Sequence, residues 1–149
     1  MKKLLLLCFV LWIGTSCIKV DKCEGILCFT PPPEFSIEII DKTTGENLYT
    51  NGTLDSLNIL LLNEEGSHEN FDFIAENNIN IIRLNEIGWK TGLHQYQLVV
   101  SDEITLDIKI NMELMRENCC TYYKTISFQV LNYEFYQTDS LPIYVVKVD

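Results

Sequence analysis

The sequence is poor in the residues that punctuate chains and in those that catalyse. Of 149 residues only two are histidine, four are proline and seven are glycine, and eleven Lys and Arg stand against twenty-one Asp and Glu, for a formal charge of −10. So little glycine and proline excludes collagen-like chains and flexible linkers. So few basic residues exclude nucleic acid as a partner, because a polyanion would be repelled. With two histidines, no Gly-x-Ser-x-Gly elbow, no His-Glu-x-x-His pair and no phosphate-cradling glycine loop, the common nucleophilic, zinc and nucleotide chemistries lack their parts. No enzyme activity, cofactor or bound metal is therefore expected. Long apolar runs are missing too. The longest, Leu4 to Ile13, has ten residues. As a helix it rises about 15 Å, half of the roughly 30 Å that a hydrocarbon core requires.

What is present is a core and an export signal. A chain that is 47% hydrophobic and 11% aromatic is too apolar to be a disordered acidic tail. Its length suits one domain, which at this size buries roughly two-thirds of its unfolded surface. Met1-Lys2-Lys3, the apolar run and the small residues Gly14-Thr15-Ser16 form a secretory signal over residues 1–16. Losing Lys2 and Lys3 with it takes the formal charge from −10 to −12. The small-small-Cys ending resembles the lipobox of bacterial lipoproteins, which implies acylation of Cys17 as the new first residue. Gly14 stands where such boxes usually carry Leu, Val or Ile, so cleavage of the same bond by an ordinary signal peptidase remains the alternative. Cysteine parity separates the two. Once Cys8 leaves with the signal, five cysteines remain: with Cys17 lipidated the other four can all pair, and without lipid an exported protein keeps one unpaired, reactive thiol. Several acyl chains also anchor stably where one does not. The expected location is the cell envelope, at the outer membrane, on either leaflet.

Residues 17–33 read as a polar leader ending in Pro31-Pro32-Pro33, an extended and stiff spacer. From residue 34 to 149 the period is two. Phe35, Ile37 and Ile39 alternate with polar residues, and Thr43-Thr44-Gly45-Glu46-Asn47 turns the chain back. Leu57 to Leu62 is nearly continuous in apolar residues, as expected of a central strand covered on both faces. Phe71–Ile74 and Ile79–Leu84 follow, separated by Asn77-Asn78. Tyr96, Leu98 and Val100 alternate again. Ile104, Leu106, Ile108, Ile110, Met112 and Leu114 then occupy every second position, a spacing that a helix would scatter around its axis. After Arg116-Glu117-Asn118, Cys120 to Val130 alternates in mirror image, with Tyr122, Ile126 and Phe128 on one face and Tyr123 and Thr125 on the other. The pair reads as a long hairpin. Ile143–Val148, introduced by Pro142, closes the chain. About eight strands without intervening helices predict an all-β antiparallel β-sandwich, immunoglobulin-like or transthyretin-like.

The leader cysteines, Pro31-Pro32-Pro33-Glu34-Phe35, the segment Asp41-Lys42-Thr43-Thr44-Gly45-Glu46-Asn47-Leu48 and the block Cys119-Cys120-Thr121-Tyr122-Tyr123 together resemble small lipoproteins of Bacteroidota. That group implies an anchor and no particular activity. The Asp-x-x-Thr-Gly-x-x-Leu piece alone is also similar to the first hairpin of transthyretin-like sandwiches, although the later Thr-Asp-x-x-Gly-x-Phe element is missing.

Cys23, Cys28, Cys119 and Cys120 are two disulfides or an all-thiolate zinc site. Adjacent residues on a strand point to opposite faces, so Cys119 and Cys120 would seek different partners, one bond each to Cys23 and Cys28. Pairing within each couple requires a strained eight-membered ring, and adjacent ligands suit zinc poorly in an oxidising compartment. Closing loops of roughly 90 residues stabilises by about 4 kcal/mol per independent bond in the entropy model. Glu64, Glu65, Glu69 and Asp72 surround His68 in a spacing that matches no EF-hand, and read as a solvated acidic loop rather than a cation site. Trp89, Tyr122 and Tyr123 are the candidate ligand-binding aromatics; core or edge packing is the plainer reading for each. The expectation is a lipid-anchored structural or interaction module, held to the membrane by the acyl chains on Cys17, whose partner is an envelope protein or a glycan. The alternative is an accessory module that binds a glycan or peptide through exposed aromatics and acidic loops.

Overall fold

The computed structural model describes residues 23–76, 79–139 and 141–149. The predicted signal, Cys17 and the turn at Asn77-Asn78 lie outside the described residues. Ten strands follow one another: β1 (Phe35–Asp41), β2 (Leu60–Asn63), β3 (His68–Glu69), β4 (Asp72–Glu76), β5 (Ile79–Leu84), β6 (Gly92–Val99), β7 (Thr105–Glu117), β8 (Cys120–Val130), β9 (Glu134–Gln137) and β10 (Ile143–Val148). They form two five-stranded sheets, ordered β4-β5-β1-β10-β9 and β3-β2-β6-β7-β8. The chain alternates between the layers, laying β1 in the first sheet, β2 and β3 in the second, β4 and β5 back in the first, β6 to β8 in the second, and β9 and β10 in the first.

The β-sandwich expected from the alternation is present. Inward residues of both sheets, among them Ile37, Ile39 and Val146 from one and Leu98, Leu106, Ile108 and Ile110 from the other, form a single buried cluster. Two strands had gone unread. β3 is only two residues long and β9 only four, too short to establish a period. One pair is parallel: β1 lies beside β10 with Ser36 opposite Ile143 and Asp41 opposite Val148. A parallel pair needs a long connection, and first and last strands have the whole domain between them. Pro142 thus stands immediately before an inner strand, outside the ladder, where no ladder bond is lost.

Two local readings are corrected. Leu57 does not belong to a central strand. Residues 56–58 form a 3-10 turn, started by the Asp55 carboxylate accepting from the Leu57 N–H at 2.9 Å, which leaves Leu57 88% exposed. Only Ile59 and Leu61 of the run are buried. The second correction concerns β8. Asn111 pairs with Ser127 but Met112 with Thr125, so the ladder skips Ile126, which bulges. The extra residue inverts the alternation. Phe128 and Val130 face the core, and beyond the bulge it is Thr125 and Tyr123 that share a face with Met112 and Leu114.

The Asp-x-x-Thr-Gly-x-x-Leu segment explains itself chemically. The Asp41 carboxylate accepts from the N–H groups of Thr43 at 2.9 Å and Thr44 at 2.6 Å. These bonds hold its pKa below the usual carboxylate value, with the Thr44 N–H the larger cause. Gly45 takes φ +74°, and Leu48 enters the core.

Tyr49 carries a pH dependence. Its ring meets Phe73 edge-on at 4.9 Å, and its buried phenol oxygen has no hydrogen-bond partner among the described residues. Burial, reinforced by the Asp55 charge, pushes the phenol far above its ordinary value. A raised pKa means that the fold favours the protonated form. Its contribution to stability is complete below the unfolded value of about 10 and is lost as pH climbs past it toward the folded value. Tyr49→Phe is expected to leave neutral-pH stability equal or raise it by about 1 kcal/mol, and to flatten the alkaline decline. Denaturant midpoints from pH 7 to 11 check this; identical alkaline slopes in both proteins would reject it.

Candidate functional site

The cysteines meet at one end of the sandwich. β7 and β8 close in a two-residue turn, Asn118-Cys119, with Glu117 opposite Cys120. Asn118 has φ +53°, a conformation that asparagine tolerates better than most residues. Cys119 therefore sits in the turn rather than on the strand, and Cys120 opens the strand. The leader comes to them: Cys23 bonds Cys119 and Cys28 bonds Cys120, both with Cα atoms under 6 Å apart, at 5.3 and 5.4 Å. One bond from each leader cysteine to the hairpin tip is the expected arrangement, and the zinc alternative falls with it. The Pro-rich segment is packed rather than free-standing, since Pro32 is buried. The loop between β5 and β6 packs against it. Gly88 takes φ +94°, a conformation that strains any residue with a side chain, and it approaches the segment closely: a Cβ there would lie a tight 3.3 Å from the Phe35 ring and 3.4 Å from Pro32.

That loop carries Trp89. It is 47% exposed and meets Tyr123 edge-on, 6.2 Å between ring centres at 69°. Tyr122 and Tyr123 are half-buried. The fold brings two of the three candidate aromatics into ring contact, but their planes are steeply inclined and make no flat platform for a sugar face.

A groove of about 660 Å³ opens next to them. One wall is residues 122–128 of β8, seven in succession, which is possible only where a groove follows the backbone edge of a strand. β8 is the last strand of its sheet, paired with β7 alone among the described residues. The opposite wall comes from the start of β1 and from β9 and β10. Its floor is a stack of rings: Phe128 lies 3.8 Å from Tyr144, 5.4 Å from Phe35 and 6.0 Å from Phe135. Burial raises the Tyr144 phenol pKa. The Thr125 hydroxyl on the β8 wall is buried without a hydrogen-bond partner among the described residues. Sequence reading found Tyr122 and Tyr123 and missed the floor, whose four rings come from four strands. The available signal was charge: Cys120 to Val130 contains one lysine and no acid, in a chain with twenty-one acids.

The acidic residues gather elsewhere. Glu64, Glu65, Glu69, Lys90 and His94 border a recess of about 230 Å³ beside β2, β3 and β6, while His68 is exposed on β3 and Asp72 opens β4. The carboxylates serve the hairpin. Glu64 accepts from the Gln95 N–H at 2.6 Å, Glu69 from the Asn63 amide at 2.9 Å, and His94 Nε2 lies 3.0 Å from the Thr91 carbonyl. The Asn63 side chain accepts from the N–H groups of Glu65 and Ser67, closing the β2–β3 turn. Nearby Tyr96 has a raised pKa, first from burial and then from the charges of Glu69 and Glu64. Among the described residues no group of three or more His, Cys, Asp or Glu side chains is placed to hold a metal ion. Nor, among them, is any helix long and apolar enough to cross a membrane.

No protein family, curated protein or solved structure matches this chain.

Proposed function

We propose that the protein is a lipid-anchored module of the cell envelope that works by holding a partner rather than by catalysis. The anchor is the reading of Cys17; the two disulfides support it, because they use all four other cysteines of the mature chain and leave Cys17 for acylation. The observation that carries the holding role is the edge of β8, which among the described residues pairs with β7 alone, beside a groove floored with aromatic rings. Such an edge offers unpaired N–H and C=O groups, and adding an extended peptide as a further strand is a common way to satisfy them. A peptide suits this geometry better than a glycan, since Trp89 and Tyr123 stand at 69° rather than side by side. β8 carries no acid, and of the residues that line the groove Glu34 is the one acid, set against Lys124, so the groove does not share the strong negative charge of the rest of the surface.

Two measurements test the reading. Palmitate is expected to label the wild-type protein, and Cys17→Ala to abolish both label and membrane retention; an unlabelled, soluble wild type defeats the anchor. A photo-crosslinker in place of Ile126, 49% exposed in the β8 edge, is expected to give one discrete adduct in envelopes, while one in place of Glu46, outside the groove, gives none. Indistinguishable products from the two positions would remove the groove from the function.

A further inference from the structure

We infer that the segment Cys23–Phe29 is a rigid wedge that rests in the lipid surface carrying the Cys17 acyl chains and so fixes how the domain stands on the membrane. This rests on the anchor reading above and extends it. Leu27 is 97% exposed and Phe29 90%, with Ile26 at 49%. They do not belong to a loose tail. Cys23 and Cys28 are both bonded to the tip of the β7–β8 hairpin, so the chain between them is closed at each end. Leaving a leucine and a phenylalanine in water forgoes the favourable free energy of burying either side chain. The disulfides have already ordered the loop, so insertion adds little further conformational loss.

The nature of the occupant follows from chain length. Six residue steps separate Cys17 from Cys23 and can span at most about 22 Å fully extended. An acylated Cys17 therefore keeps Cys23 within about 22 Å of the bilayer surface, whatever path the connection takes, so the loop is within reach of the lipid. Glu24, exposed at the start of the segment, is its one charge, and Ile26 to Pro33, which holds the exposed apolar side chains, carries none, so lipid phosphates would not repel that part of a strongly acidic chain. Trp89, half-exposed, lies at the same end, where its neighbour Gly88 abuts Pro32. An amphipathic indole at that height suits the headgroup layer.

The test uses the acylated mature protein in phosphatidylcholine vesicles with brominated acyl chains, which quench tryptophan fluorescence by contact. Signal removal takes Trp12, leaving Trp89 as the single tryptophan, so Trp89→Phe provides a blank background. Into it go Phe29→Trp, or Leu27→Trp as a second reporter, and Leu57→Trp as the control, each at a position 88% exposed or more. Intact mass first reports the acyl groups, and an unchanged thermal midpoint reports the fold. With acyl mass present, quenching at position 29 or 27 is expected to exceed that at position 57 at least twofold. Equal quenching in the acylated protein overturns the wedge and leaves the anchor standing. A mature chain without acyl mass overturns the anchor, and the wedge with it.

Discussion

Removing either disulfide alone is expected to lower stability by about 2.5 kcal/mol, and removing both by about 7 kcal/mol. The inequality comes from where the bonds sit. Cys23–Cys119 spans 96 residues and Cys28–Cys120 spans 92, yet they join nearly the same two points of the chain. Whichever bond forms first closes the long loop and removes about 4.7 kcal/mol of chain entropy from the unfolded state. The other then closes only a small ring, residues 23–28 with 119–120, about eight residues in all. The value of about 4 kcal/mol per bond expected of independent loops does not apply twice. A domain whose total stability is roughly 5–15 kcal/mol keeps its fold after one loss and is brought close to unfolding by two. Urea denaturation of Cys28→Ala with Cys120→Ala, of Cys23→Ala with Cys119→Ala, and of the fourfold variant checks this. Three equal losses, or a fourfold loss no greater than either pair, would contradict the nested-loop account.

The second large effect is expected at Phe128. Its ring is 8% exposed and touches three others, contributed by β1, β9 and β10, so it ties the edge strand of one sheet to the opposite sheet. Phe128→Ala should cost about 3–5 kcal/mol, by lost transfer energy and the cavity left among rings that cannot collapse inward. Tyr122→Ala, six residues along the same strand but on a half-buried side chain, should cost about 1 kcal/mol. A shift in the urea midpoint at constant slope is the measurement. A Phe128→Ala loss no larger than that of Tyr122→Ala would mean that the ring stack does not join the sheets. The same comparison bears on the groove, because Phe128 is its floor while Tyr122 is part of its wall.

Much of the fold was legible because one face of each strand is buried and the side-chain period is fixed at two. Ile104 to Leu114 announces a strand by residue type alone, and the structure buries Leu106, Ile108, Ile110 and Met112 in that order. The disulfide partners were legible from a steric fact about neighbours, although Cys119 reached its partner from a turn rather than from a strand face. Leu57 was misread because hydrophobicity does not report a capping bond: the Asp55 carboxylate fixed a turn that composition could not reveal. The bulge at Ile126 was invisible for a different reason. It depends on how many residues the partner strand presents, and an alternating pattern reads the same through it until the pairing is known.

The amino-acid sequence by itself determined the sandwich class and the identity of the cross-linked cysteines, since each depends on residue type at short spacing; the export signal and the anchor at Cys17 are proposals that rest on the same kind of pattern. Only the tertiary structure decided that β1 lies parallel to β10, that β8 is left as an edge, and that four rings from four strands floor a groove beside it. Those features are set by packing between residues up to about a hundred positions apart, where the free energy of a contact depends on what the rest of the chain has already buried.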